Sequence, residues 1–156
     1  AGEKMNSQSA ENHPLNADLT RRGALCAIAA LSLGAIALPA NPAVAATGVK
    51  VLRNGRIQVL LSKNPALKSV GGVVRIDGIS GRSIALVRTG KGKKGYTALD
   101  LRCTHQGSIV EQDGELWSCP NHGAAFALNG DLKIGPATIP LRKLRVSANS
   151  KRVVIS

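Results

Sequence analysis

Residues 103–126 read CTHQGSIVEQDGELWSCPNHGAAF and carry two short pairs of cysteine and histidine. One residue separates Cys103 from His105, and two residues separate Cys119 from His122. The thirteen residues between the pairs can form a hairpin, so we expect the two pairs to meet. Thiolates and imidazoles are ligands for zinc, copper and iron–sulfur clusters, whereas calcium and magnesium prefer oxygen. The stretch therefore predicts a metal centre held by these four side chains.

The spacing within the pairs differs from that of a structural zinc site. Such sites usually take two cysteines two to four residues apart and two histidines three to five residues apart. Here each pair is mixed, and the first pair has a gap of a single residue. A mixed pair suits two metals better than one, because each loop can give its cysteine to one metal and its histidine to the other. A [2Fe–2S] cluster held in this way has two cysteines on one iron and two histidines on the other.

This motif resembles that of the Rieske family, which reads Cys-x-His, a spacer, and then Cys-x-x-His. The likeness extends to CTHQG at 103–107, CPNHG at 119–123 and GPAT at 135–138, and it covers most of the chain after residue 50. It implies a Rieske-type [2Fe–2S] cluster whose histidine ligands lie at an exposed tip and whose cysteine ligands lie deeper. The implied ligands are Cys103, His105, Cys119 and His122.

The chain departs from the high-potential members of the family at four positions. Those members carry one additional cysteine in each cluster loop and join the two in a disulfide, where this chain has Ser108 and Asn121. They also place a serine and a tyrosine hydroxyl against the cluster, where this chain has Ala124 and Phe126. Each hydrogen bond to a cluster sulfur stabilises the more negative reduced state. The resemblance therefore implies a reduction potential in the lower part of the family range.

The pattern of residue types after residue 48 predicts an all-β fold. Short β-branched runs alternate with glycine turns, and several runs alternate apolar and polar residues, as half-buried strands do. The resemblance implies a Rieske-like antiparallel β-sandwich base with a small inserted cluster-binding subdomain at about 100–136. Residues 63–70 are expected to hold a helical turn. The predicted strands are 49–52, 56–61, 72–76, 83–87, 95–101, 138–146 and 152–155.

Residues 1–45 are typical of a twin-arginine export signal. Arg21-Arg22 follow a polar leader and precede an uncharged run, which ends near the small-residue site Ala43-Val44-Ala45. We expect cleavage after Ala45, with 46–156 as the Rieske domain in the periplasm or on the outer face of the cytoplasmic membrane. This route carries folded proteins, which suits a cluster inserted before export. Retention of residues 23–40 as a membrane anchor stays open.

The formal net charge of +12 belongs wholly to residues 46–156, because the first 45 residues hold three basic and three acidic side chains. Basic surfaces attract nucleic acid, anionic lipid or acidic proteins. With three aromatic residues in the chain and an export signal, nucleic acid is excluded. We expect a redox partner protein with an acidic docking face, while membrane association and a simple role in solubility stay open. Lys91, Lys93 and Lys94 are predicted to form a solvated hairpin tip.

The leading functional hypothesis is an exported one-electron transfer protein. It would act as a free carrier or as the small subunit of a larger periplasmic oxidoreductase such as arsenite oxidase, with no catalytic residues of its own. The GPAT segment at 135–138 favours a second hypothesis, the Rieske subunit of a quinol-oxidising cytochrome bc complex. A third is a zinc-stabilised binding module without a redox role. From the length we do not expect a ring-hydroxylating terminal oxygenase, which needs room for a mononuclear iron domain.

Overall fold

The structure, a computed structural model, describes residues 43–156. This part of the chain is built almost entirely from strands, with two short 3₁₀ helices at Leu61–Lys63 and Pro65–Lys68. The all-β prediction is confirmed. The strands are β1 (Val44–Ala45), β2 (Val49–Val51), β3 (Ile57–Leu60), β4 (Val73–Ile79), β5 (Arg82–Arg88), β6 (Tyr96–Asp100), β7 (Glu111–Asp113), β8 (Leu116–Ser118), β9 (Ala125–Ala127), β10 (Leu132–Ile134), β11 (Lys143–Leu144), β12 (Val146–Ala148) and β13 (Arg152–Ile155).

The strands form three sheets. A central sheet has the order β1-β4-β5-β6-β11, an outer sheet has the order β12-β13-β3-β2, and a cluster-loop sheet has the order β10-β9-β8-β7. The strands pair antiparallel, apart from the parallel pair of β1 and β4. Strands β7 to β10 lie in the chain between β6 and β11, which are neighbours in the central sheet. The cluster-loop sheet is thus an insertion into the base, as the resemblance implies.

Strand β5 shows why the central sheet is apolar on both faces. Successive side chains of a strand point to opposite faces of its sheet. Ile84 and Leu86 belong to the core shared with the outer sheet, whereas Ala85 and Val87 belong to the core shared with the cluster-loop sheet and Trp117. All four β5 side chains are buried. An uninterrupted apolar run is therefore what a strand covered on both faces requires.

Two details of the predicted elements need adjustment. The prediction of one strand at 138–146 is wrong, because only the short strands β11 and β12 form in this region. The chain before β11 crosses instead beside the first cluster loop, where the Ile139 carbonyl accepts a 2.7 Å hydrogen bond from the Thr104 hydroxyl. The helical turn expected at 63–70 is confirmed as the 3₁₀ helix Pro65–Lys68 and is preceded by a second one.

The predicted export signal lies outside the described residues, apart from the small-residue site at its end. Val44–Ala45 form strand β1, which pairs with Val74 and Arg75 of β4. Cleavage after Ala45 stays a prediction and would separate this edge strand from the domain. Within residues 43–156, no helix is long and apolar enough to cross a membrane.

Candidate metal centre

Two loops of the same backbone design carry the Cys/His pairs. In the first loop, the N–H of Cys103 donates to the carbonyl of Ser108 at 2.7 Å, and the N–H of Gly107 donates to the carbonyl of Cys103 at 2.8 Å. The second loop, between β8 and β9, repeats both bonds. The N–H of Cys119 donates to the carbonyl of Ala124, and the N–H of Gly123 donates to the carbonyl of Cys119. The glycine of each loop has a left-handed backbone, with φ of 78° at Gly107 and 72° at Gly123. Glycine adopts this conformation without steric cost, so it closes both loops.

The structure brings the two predicted cysteine ligands into contact with each other and the two predicted histidine ligands into contact with each other, and it separates the two types by depth. Cys103 and Cys119 are free and buried, with exposed fractions of 3% and 4%. His105 and His122 are exposed, and their ring centroids lie 4.9 Å apart at an interplanar angle of 88°. The predicted order of depth, with sulfur inside and nitrogen at the surface, is therefore present.

Backbone N–H groups face both cysteine sulfurs. Burial raises the pKa of the Cys103 thiol and contact with Cys119 adds to the rise, although the N–H groups act in the opposite direction. Burial also opposes ionisation of Cys119, but N–H donors and contact with Cys103 outweigh it and lower the pKa of that thiol. Such donors stabilise negative charge on sulfur, as a metal-bound thiolate requires. The backbone N–H donors are those of His105 and Gln106 for the Cys103 sulfur, and those of Asn121 and His122 for the Cys119 sulfur.

The floor beneath the cysteines is apolar. Ala124 and Phe126 are fully buried and belong to the same core as both cysteines and Trp117. Neither side chain carries a hydroxyl. The two positions at which high-potential members place hydroxyl groups therefore offer no side-chain hydrogen bond to a cluster sulfur.

A side-chain hydrogen bond joins the two loops. The Asn121 Nδ2 donates to the Ser108 Oγ at 2.7 Å. The sequence indicates that these are the positions of the missing family disulfide, but it does not indicate that the two side chains bond to each other. The available signal was chemical, since an amide donor and a hydroxyl acceptor occupy the two positions together.

The depth of the four side chains fits a cluster of two irons. Within the described part of the chain, no three cysteine, histidine, aspartate or glutamate side chains are arranged to hold a single metal ion. A structural zinc site takes four ligands around one ion. A [2Fe–2S] cluster asks for two protein ligands on each iron. The two buried cysteines and the two exposed histidines fit the arrangement of a [2Fe–2S] cluster.

Comparisons with known proteins point to one family. Residues 61–145 match the family model of the Rieske [2Fe–2S] domain. The cytochrome b6-f complex iron–sulfur subunit of Chlorobaculum tepidum is 34% identical over 62 residues, which cover 38% of this chain and 34% of that protein. The subunit of the same name from Prochlorococcus marinus subsp. pastoris is 29% identical over 82 residues, which cover 51% of this chain and 46% of that protein. This chain thus spans about a third to a half of the length of these relatives.

Among solved structures, the cyanobacterial plasma membrane Rieske protein PetC3 from Synechocystis PCC 6803 is similar. It is 26% identical, with a TM-score of 0.45, and the match covers 55% of this chain and 86% of that one. The family model matches more than half of the 156 residues and includes both loops. The chain therefore belongs to the Rieske family, whose domain carries a Rieske-type [2Fe–2S] cluster.

Proposed function

We propose that Cys103 and Cys119 bind the inner iron of the cluster and that His105 and His122 bind the outer iron. The observation that carries this proposal is the contrast in depth, with both thiols buried and both imidazoles exposed. A bound cluster supplies the storage of a single electron. The N–H groups that face both sulfurs favour thiolate ligands.

The exposed imidazoles would give electrons their shortest path to a partner. His105 and His122 are exposed to solvent, while the buried floor of Trp117, Ala124 and Phe126 keeps water from the inner side. Each imidazole can also hold a proton on the ring nitrogen that does not bind metal. Electron transfer at this tip can therefore be linked to proton release.

The protein is proposed to be an exported one-electron carrier of low potential. The apolar floor at Ala124 and Phe126 supports the low potential, and the twin-arginine pattern supports export. The carrier works freely or as the small subunit of a periplasmic oxidoreductase such as arsenite oxidase. The net charge of +12 favours a partner with an acidic docking face.

A second candidate is the Rieske subunit of a quinol-oxidising cytochrome bc complex. Both relatives described above are subunits of cytochrome b6-f complexes, which favours this role. The apolar floor weighs against it, because a low potential makes quinol a poor electron donor. The reduction potential therefore separates the two candidates.

Protein-film voltammetry of the purified chain with its cluster tests this choice. Family potentials span roughly −150 to +300 mV, and we expect a midpoint in the lower part of that range. A midpoint near the top, together with reduction by quinol in membranes, would overturn the carrier and support the complex subunit.

Metal analysis tests the ligands. We expect about two irons and about two acid-labile sulfides per chain. Cys103→Ser and Cys119→Ser should both lose this content. A colourless protein with one zinc ion would contradict the proposal.

A further inference from the structure

A basic cleft lies at the end of the central sheet away from the metal centre. Its volume is about 760 Å³. Strand β6 begins at Tyr96 in the wall of the cleft and runs toward Cys103, and a strand rises about 3.3 Å per residue. Strand β6 by itself thus places about 13 Å between the wall of the cleft and the start of the segment that leads to Cys103. It is lined by Leu60, Leu61, Ser62, Leu67, Lys68, Arg88, Tyr96, Ser150 and Lys151.

The charge in the cleft is positive, and no ion pair within residues 43–156 neutralises it. Of the residues that the structure describes, Lys68, Arg88 and Lys151 line it and no acidic residue does. Within residues 43–156, the ion pairs are formed by other basic residues, Arg75 and Lys143. A smaller cleft beside it shares Arg88 and adds Lys93. Positive charges that converge in a concave site attract an anion from solution.

Arg88 is held in place before any ligand arrives. Its guanidinium lies 4.1 Å from the centroid of the Tyr96 ring, and its Nη1 donates a 2.8 Å hydrogen bond to the Gly92 carbonyl. Its buried Nε has no hydrogen-bond partner. A guanidinium fixed on an aromatic face loses little entropy when it binds a carboxylate.

The walls determine which kind of anion fits. Leu60, Leu61, Leu67 and Tyr96 provide apolar surface next to the cations. The volume is in the range of small-molecule sites, about 300–1,000 Å³. We propose that this cleft binds a small organic acid, with its carboxylate at Arg88 and its hydrocarbon body against the leucines. This site is independent of the electron-transfer function proposed above.

Calorimetric titration of the full chain with its cluster tests the proposal, using three probes. Octanoate carries both the charge and the hydrocarbon body, octanol carries only the body, and inorganic phosphate carries only the charge. We expect saturable binding of octanoate, with octanol and phosphate each at least about tenfold weaker. Equal affinity for octanol or for phosphate, or no binding of octanoate, would overturn the proposal.

Substitutions locate the site. Arg88→Gln should weaken octanoate binding about tenfold or more, whereas Arg82→Gln at the exposed start of the same strand should leave it within about twofold. Lys68→Gln combined with Lys151→Gln should weaken octanoate binding about threefold to tenfold. This double variant still tests the site if Arg88→Gln folds poorly. A matched pair of exposed lysines outside the cleft, Lys50→Gln with Lys133→Gln, is the control. Equal effects of cleft and control variants would contradict the site.

Two further readouts exclude other occupants. Amide shifts on adding octanoate should be confined to residues such as Leu61 and Ser150, and shifts centred on the cluster loops would overturn the location. The chain should not co-sediment with phosphatidylglycerol vesicles in a way that depends on Lys68, Arg88 and Lys151. If substitution of these residues abolishes co-sedimentation with vesicles and octanoate does not bind, the cleft is a membrane-binding surface and the small-acid site is overturned.

Discussion

The side-chain amide of Asn121 donates a 2.7 Å hydrogen bond to the hydroxyl of Ser108, and this bond connects the two loops that carry the Cys/His pairs. Ser108 closes the first loop through its carbonyl, and Asn121 lies between Cys119 and His122 in the second. High-potential family members resemble this chain but join these two positions by a disulfide. Here a hydrogen bond takes that place, and such a bond forms equally well in a reducing compartment.

Loss of this interloop hydrogen bond should loosen the cluster. Ser108→Ala or Asn121→Ala removes a bond worth about 0.5–1.5 kcal/mol, so we expect iron loss to a chelator to become faster, by up to about tenfold. The decay of visible absorbance measures the rate. Ser108→Thr keeps the hydroxyl and should behave like the unchanged chain. Equal rates in all variants would show that the bond does not hold the loops together.

A disulfide should form where the hydrogen bond now lies. The double substitution Ser108→Cys with Asn121→Cys places two thiols at side chains that already touch. After mild oxidation we expect the bridge by mass spectrometry and a gain of up to about 3 kcal/mol in unfolding free energy, which dithiothreitol should reverse. Free thiols after oxidation would mean that the loops are further apart than the hydrogen bond requires.

A hydroxyl at position 124 should raise the reduction potential. The Ala124 carbonyl accepts a 2.8 Å hydrogen bond from the N–H of Cys119, so the side chain of residue 124 is close to that cysteine. Ala124→Ser should raise the midpoint by on the order of 50 mV, because a new donor favours the more negative reduced state. Voltammetry measures the shift, and Ala127→Ser further along β9 is the control. No shift at position 124 would show that this hydroxyl position is wrongly assigned.

Gly130 should be intolerant of any side chain. Its φ is 91°, and an added Cβ would lie 2.6 Å from Cδ2 of Leu99, which is fully buried. We expect Gly130→Ala to lower the unfolding free energy by about 2–3 kcal/mol, from backbone strain and overpacking together. Denaturant unfolding measures it. Gly114→Ala is the matched control, because Gly114 also has positive φ but open space around its Cβ position. Equal losses in both variants would show that Leu99 moves aside freely.

Much of the base could be predicted because its signals are local. The runs predicted at 49–52, 56–61, 72–76, 83–87 and 95–101 correspond to strands β2 to β6. The exposed turn at Lys91, Lys93 and Lys94 was likewise predictable, since charge and glycine both favour solvent. The predicted strand at 138–146 was wrong, because the path of that segment depends on a contact with Thr104, 35 residues earlier.

The sequence by itself determined the chemistry of the centre. Two cysteines, two histidines and their spacing predict a Rieske cluster at these four side chains, and the residues at 108, 121, 124 and 126 indicate where this chain departs from the high-potential members. These are statements about residue type and separation along the chain, which folding does not change.

Only the tertiary structure decided how distant residues meet. The bond between Asn121 and Ser108, the contact of Gly130 with Leu99, and the basic cleft around Arg88 each join segments that no local pattern connects. The cleft draws on three stretches, at 60–68, 88–96 and 150–151. Such contacts follow from the packing of sheets against one another, and a pattern with a period of two residues carries no information about which sheets will pack.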